Sequence, residues 1–146
     1  FNRNISFNGI FSAPFTLTAN VDRNESTLSV PAFNPLNFLN IPSGATHFRI
    51  INALSVVSDT IYNPTTGAYE PAEPVLNEMS SIAYSDYTPV DVVTALIDVT
   101  ATLPDAPTMT INVAILGSIG IEFYQMVGSN YYLFNAGNAL KIQETF

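Results

Sequence analysis

The chain has 146 residues, of which 47% are hydrophobic, with twelve acidic residues against four basic ones, a formal charge of −8 and no cysteine. That length suits one domain with a full core, and the absence of cysteine excludes disulfides, thiolate metal sites and cysteine nucleophiles. The four basic residues Arg3, Arg23, Arg49 and Lys141 are scattered, so the clustered cationic footprint that nucleic acid or an anionic membrane requires is missing.

From the N-terminus, residues 1–15 carry Phe1, Ile5, Phe7, Ile10, Phe11 and Phe15 with Arg3 as the single charge. The segment is too apolar for a free tail in water. Residues 1–13 are expected to pair as a strand, either with an edge of their own sandwich or with a neighbour's sheet by donor-strand exchange, while residues 14–146 form the domain.

Period-two alternation then predicts strands through most of the chain. Phe15, Leu17, Ala19 and Val21 alternate with Thr16, Thr18 and Asn20, Asp22–Glu25 make a polar turn, and Leu28 and Val30 resume the apolar face. Pro31, Pro35 and Pro42, interspersed with Asn34, Asn37 and Asn40, mark a crossing loop to Gly44, and Phe33, Leu36, Phe38, Leu39 and Ile41 are expected to pack it down. Residues 46–52 form the next strand, followed by a hairpin turning at Asn63-Pro-Thr-Thr-Gly67. The acidic, proline-bearing stretch from Glu70 to Glu78 reads as an exposed loop. Over 90–103 the valines, Ile97, Thr100 and Thr102 favour strand, although Val92, Val93, Leu96 and Ile97 would also fit a short helical stripe.

Residues 108–116 alternate Met109, Ile111, Val113 and Ile115 with smaller or polar residues, and residues 121–127 meet 131–134 across Gly128-Ser-Asn130 as a hairpin. Gly117 and Gly120 are placed at a bulge or bend, and residues 140–146 form the last strand. Nine or ten short strands of this kind predict an all-β fold, a β-sandwich of immunoglobulin-like or jelly-roll type. Its core is expected from Leu17, Phe48, Ile50, Ile111, Val113, Ile121, Phe123 and Ile142.

Two stretches, Gly44-Ala-Thr-His-Phe-Arg-Ile-Ile51 and Gly120-Ile-Glu-Phe-Tyr-Gln125 followed by Asn138-Ala-Leu-Lys-Ile142, resemble segments of uncharacterised bacterial all-β proteins. The resemblance implies a bacterial β-sandwich and brings no activity or site with it.

Chemistry-bearing residues are sparse. His47 is the one imidazole and sits in an alternating strand with Arg49 on its face, far from any nucleophile-elbow context. With one His and no Cys, zinc is disfavoured and metal binding would fall to calcium on Asp22, Asn24 and Glu25 or on Glu70, Glu73 and Glu78; a solvated turn explains the same residues. Asp86, Asp91 and Asp98 give no readable carboxylate pair, and no glycine-rich phosphate cradle occurs, so no nucleotide, haem or other cofactor is expected. Asn4 and Asn24 begin N-glycosylation patterns that an Asn-rich chain produces by chance. Tyr124, Tyr131 and Tyr132 could form a sugar platform on a secreted glycan-binding module, though Trp is absent.

Surfaces poor in Lys, Asp and Glu and rich in aromatics and Met are those of assembly faces, and this chain has ten Phe, seven Tyr and three Met. The expectation is a non-enzymatic structural subunit, extracellular or at the cell surface, that assembles with copies of itself into a filament or array. Phe1, Ile5, Phe7, Ile10, Phe11, Phe15, Tyr124 and Tyr132 are the candidate contacts. A viral capsid or tail component and the glycan-binding module are the alternatives.

Overall fold

The computed structural model describes residues 6–146. In chain order the elements are α1 (Phe7–Ile10), β1 (Thr16–Ala19), β2 (Glu25–Val30), α2 (Pro35–Phe38), β3 (His47–Ser58), β4 (Thr60–Asn63), β5 (Ala68–Pro71), β6 (Ser80–Tyr84), β7 (Thr88–Pro89), β8 (Ile97–Thr102), β9 (Val113–Val127), β10 (Asn130–Leu133) and β11 (Ala139–Thr145). The fold is an all-β sandwich, as the alternation predicts. A three-stranded sheet, β1-β2-β8, faces a six-stranded one in which β3 and β9 are central. The end of β9 pairs with β10 and its middle with β11, while β3 is flanked by β6 and β7 on its other side. The strand pairs are all antiparallel, and β4–β5 is a separate hairpin.

The core forms where the two inner faces meet. Leu28, Val30 and Val99 from the small sheet meet Phe48, Ile50, Ile119, Ile121 and Phe123 from the large one, and a second cluster of Leu54, Val56, Ala101, Leu103, Met109, Val113 and Ile115 continues it. Asn52 lies fully buried between the sheets. Its amide nitrogen donates to the carbonyls of Ser26 and Val99, each at 2.9 Å, and its oxygen accepts from Ser26 Oγ at 3.1 Å. All its polar atoms are thereby bonded, which is the condition for a buried amide to be tolerated.

Several expectations are corrected. The described part of the N-terminal segment is a helical turn rather than a strand; Phe7, Ile10 and Phe11 fall at helical spacing and are buried in the core of their own chain. Phe1 and Ile5 lie outside the described residues. Of the eight expected core residues Phe48, Ile50, Val113, Ile121 and Phe123 are buried and Leu17 is half-buried, whereas Ile111 is 95% exposed and Ile142 is 59% exposed. Ile111 sits in a turn, because Arg23 donates to the carbonyls of Thr110 and Val113 and Glu73 accepts from Thr110 and Asn112, holding residues 110–112 off the sheet. Ile142 is turned outward by pairing: Lys141 stands opposite the core residue Ile119, so Leu140 and Ile142 face away. Lys141 covers the core edge with its stem and places its ammonium over the rings of Phe7 and Phe15.

Residues 90–96 are not strand; β8 begins only at Ile97, and Val92, Val93 and Leu96 are exposed. Val21 stands in the β1–β2 turn, fully exposed. The crossing loop contains α2, whose N-cap Asn34 accepts from the Leu36 amide, and it buries Phe33 and Leu39 but leaves Leu36 and Phe38 outside. Gly117 and Gly120 lie in mid-strand of the 15-residue β9 rather than between two strands, and the expected bulge occurs opposite Gly117 and Ser118, where the register of β11 shifts between Ile142 and Glu144. A Cβ at Gly120 would come within 3.2 Å of Ile51 and of the Ala139 carbonyl, so this glycine is a close approach of strands and not a bend.

Candidate assembly surface

The outward face of the large sheet is assembled by its register. Residues paired across an antiparallel ladder share a face, and three rows can be followed. Leu140 is opposite Gly120, which is opposite Ile51, which is opposite Tyr84; Ile142, Ser118, Ala53 and Ile82 form the next row; Thr145, Leu116, Ser55 and Ser80 form the third. Val57 and Ala114 extend it. None of these residues is charged. The centre of the face combines Gly120, Ser118, Ala53 and Ser55 with Ile51 and Leu116, and Ile51 and Ser118 are buried there; Ile82 and Tyr84 on β6 and Leu140 and Ile142 on β11 stand along the two sides. Val57, Ile82, Tyr84 and Ile142 are exposed. A one-sided antiparallel sheet ordinarily turns polar residues to water, so this face departs from the pattern.

At one end the face becomes an aromatic cluster. His47 and Arg49 on β3 oppose Tyr124 and Glu122 on β9. Tyr87 stacks on Tyr131 at 3.8 Å between centroids and meets Tyr124 edge-on at 4.9 Å. The Arg49 guanidinium lies over Tyr84 and Tyr87, 4.5 and 4.7 Å from the ring centroids, and its Nε donates to the Ser85 carbonyl. The His47 ring approaches Tyr131 edge-on at 5.0 Å, and its Nδ1 is hydrogen-bonded to Thr46 Oγ1.

Tyr124 donates its hydroxyl to the buried Glu122 at 2.6 Å. Burial, then the hydrogen bond to Glu122 and the negative charge of that carboxylate, push the phenol well above its ordinary value. The phenol therefore serves as a fixed proton donor to a carboxylate that would otherwise be buried without one. Because Tyr87 and Tyr131 face each other and Arg49 lies over Tyr87, ring faces that a sugar would stack on are engaged within the cluster.

The remaining candidates are held in local structure. Glu25 accepts from Thr102 and Asp22 from Thr108, while the Asn24 side chain is buried and donates to the carbonyls of Ala106 and Pro107. Glu70 accepts from Asn63 and Thr66, which holds its carboxyl below the usual range, and Glu73 bonds Thr110 and Asn112. Among the described residues no three His, Cys, Asp or Glu side chains converge as a metal site, and no helix is long and apolar enough to cross a membrane.

The candidate assembly residues do not form one surface in the single chain. Phe7, Ile10 and Phe11 are buried, Phe15 is half-buried, and Tyr124 is buried beneath Tyr87. Tyr132 is exposed, but it pairs with Gln125 and so belongs to the face opposite Tyr124. The sequence reading missed Val57, Ile82, Tyr84 and Ile142. The signal available was the alternation Ser80, Ile82, Tyr84 against Ser81 and Ala83, in which the larger residues mark the outer row.

No protein-family model matches this sequence, and neither a curated protein nor a solved structure matches it at a significant level.

Proposed function

We propose that the protein is a non-enzymatic structural subunit that assembles with copies of itself into an extracellular filament, pilus-like fibre or surface array. The observation that carries this reading is the run of uncharged rows on the outward face of the six-stranded sheet, beyond the Arg49–Glu122 pair at one end, with Val57, Ile82, Tyr84 and Ile142 exposed along them. Exposed apolar patches larger than a few hundred square ångströms are rare on monomers and mark interaction sites. The low charge of the whole chain supports the same reading, since ions interspersed over a surface are what ordinarily keep copies apart.

Exchange of the N-terminal segment is the costlier route to assembly. It would withdraw Phe7, Ile10 and Phe11 from the core in which they are buried, forfeiting about 1.5–3 kcal/mol for each large side chain before the neighbour restores it. Contact between preformed faces has no such barrier.

Sedimentation velocity over a wide concentration range, with electron microscopy of the same samples, tests the proposal. Ordered oligomers or polymers that grow with concentration are the expected result; a monodisperse monomer at the highest concentration attainable would refute it.

A further inference from the structure

We infer that Tyr87 and Tyr131 form an oxidative modification site, at which a peroxide-driven one-electron oxidant couples the two rings into a dityrosine cross-link within one chain. The inference goes beyond the assembly reading and stands without it, since both rings belong to the same copy.

The pair is unlike an ordinary aromatic contact. Its planes are parallel to within 1° and its centroids are 3.8 Å apart, whereas aromatic pairs ordinarily settle with centroids about 4.5–7 Å apart. Both rings are held from outside. The Arg49 guanidinium lies over Tyr87, 4.7 Å from its centroid, and Tyr124 meets the same ring edge-on, while the His47 ring stands at 80° to Tyr131. Arg49 is itself fixed by its bond to the Ser85 carbonyl, and Tyr131 sits on β10 opposite Met126. Two phenoxyl radicals join through π lobes, which point out of the ring planes, so stacked rings offer each other the lobes that form the bond.

Access suits the same chemistry. Tyr87 is 36% exposed and Tyr131 is half-buried, so electrons and protons can pass to solvent. Tyr131 and Arg49 both lie over the ring of Tyr87, and a tyrosine of another copy finds that ring already engaged. In the reaction each phenol gives one electron to the oxidant and its proton to water. A bond forms between the ring carbons ortho to the two oxygens; the hydrogen on each of those carbons then leaves as a proton and each oxygen takes one up, which restores both aromatic rings. Two phenols and one hydrogen peroxide become one biphenol and two waters. The finished bond lies in the ring planes, so the rings must swing as it matures. Tyr87 in the segment between β6 and β7 and Tyr131 on the short edge strand β10 are placed to do so. The link would fasten that edge strand to the segment before β7, across β9 and β3.

The molecule carries its own control. Tyr62 and Tyr69 are more exposed, at 56% and 74%, but their rings are 5.5 Å apart and inclined at 62°, so their π lobes do not face each other. If access governed the coupling, this pair would react first; if stacking governs it, Tyr87 and Tyr131 do.

The test treats the full chain, dilute enough to keep copies apart, with hydrogen peroxide and a haem peroxidase. Cross-linked peptides are then mapped by mass spectrometry as joined pairs lacking two hydrogen atoms, and the biphenol is followed by its fluorescence. The expected result is a chain of unchanged size on a denaturing gel, with the link between Tyr87 and Tyr131 about tenfold above any other, the advantage that orientation of reacting groups gives. Tyr131→Phe keeps a ring in the stack and removes the phenol, so it should abolish most of the fluorescence, while Tyr69→Phe should leave it nearly intact. A main link at Tyr62–Tyr69 or between chains would overturn the inference, and so would tyrosines that stay uncoupled under conditions that couple free tyrosine. The mapping uses the wild-type chain, so it decides the matter even if Tyr131→Phe fails to fold.

Discussion

The two outward faces of the sandwich are built from the same kind of strand and differ in what they show to solvent. On the three-stranded sheet β2 and β8 present Glu25, Thr27 and Ser29 opposite Thr102, Thr100 and Asp98. Thr27 and Thr100 hydrogen-bond across the ladder, and Thr102 donates to Glu25. Every position there is a hydroxyl or a carboxylate. On the six-stranded sheet the corresponding positions are Ile, Val, Leu, Tyr, Ala, Gly and Ser, apart from His47 and the Arg49–Glu122 pair at one end. One molecule therefore contains both a hydroxyl-rich face and a largely apolar one, and the first shows that the chain has the means to make its sheets wet. The apolar character of the second is a property of that face, not of the fold.

The contrast can be broken most severely by separating the sheets. Phe48 is fully buried where they meet, and Phe48→Ala should cost about 3–5 kcal/mol in urea denaturation. Asn52→Ala removes the amide that ties β3 to β2 and β8 and leaves two carbonyls and a hydroxyl without it; about 3 kcal/mol is expected from the same measurement.

A smaller effect sharpens the contrast at the aromatic end. Tyr124→Phe deprives the buried Glu122 of its donor and should cost about 1–2 kcal/mol. The phenol's pKa is raised on folding, so the stability it contributes is intact below the ordinary value of 10.0 and is lost as pH climbs through that value toward the higher folded one. In an alkaline difference spectrum of the native protein Tyr124 should ionise after the exposed tyrosines, and the Phe variant should lack that late step.

On the solvated face, Thr27→Val with Thr100→Val should leave stability within about 0.5 kcal/mol, since an exposed hydroxyl pair is replaced by residues of similar shape and good strand preference. The same variant should increase self-association, because it gives the wet face part of the composition of the dry one. The smallest effect lies in the β4–β5 hairpin. The hydrogen bonds from Thr66 and Asn63 lower the Glu70 pKa from 4.5, so their support for the hairpin is present above that value and is lost as pH falls through the lower folded one. Acid titration followed by NMR should show the shifts of Thr66 and Asn63 moving with Glu70 while the core signals stay fixed.

Much of the inner face was legible in the sequence, and little of the outer one. Ser26, Leu28 and Val30 alternate with Thr27 and Ser29 as the three-stranded sheet requires, and Phe48, Ile50, Ile121 and Phe123 are buried as expected. Alternation gives the period of a strand, but which of two apolar-looking rows faces inward depends on the neighbouring strand. For β11, hydrophobicity points to Leu140 and Ile142 as the inner row, yet Ala139 and Lys141 take it because α1 and Phe15 leave room at that edge for a long aliphatic stem. At the N-terminus the spacing of Phe7, Ile10 and Phe11 is helical, and composition alone obscured it. The alternation over Ser80–Tyr84 marked the outer row of β6, but a two-residue strand such as Thr88–Pro89 carries almost no pattern, so nothing in the sequence placed the cluster around Tyr87 beside that row.

The buried amide at Asn52 also governs which surface this protein owns. If β3 slid by one residue against its partners, its two rows would trade places, sending Phe48, Ile50 and Leu54 to water and Arg49, Ile51 and Ala53 to the interior. That slip is already opposed by hydrophobicity, since it would bury the Arg49 charge and expose Phe48 and Leu54. Asn52 discriminates against the slip that hydrophobicity cannot detect, a shift of two residues that keeps the same row inside, because only in the present alignment do Ser26 and Val99 offer it carbonyls, and a two-residue slip would strand its amide among hydrocarbons. A single polar residue in the interior thus fixes the alignment of the rows, and the exterior face it never touches owes its arrangement to it.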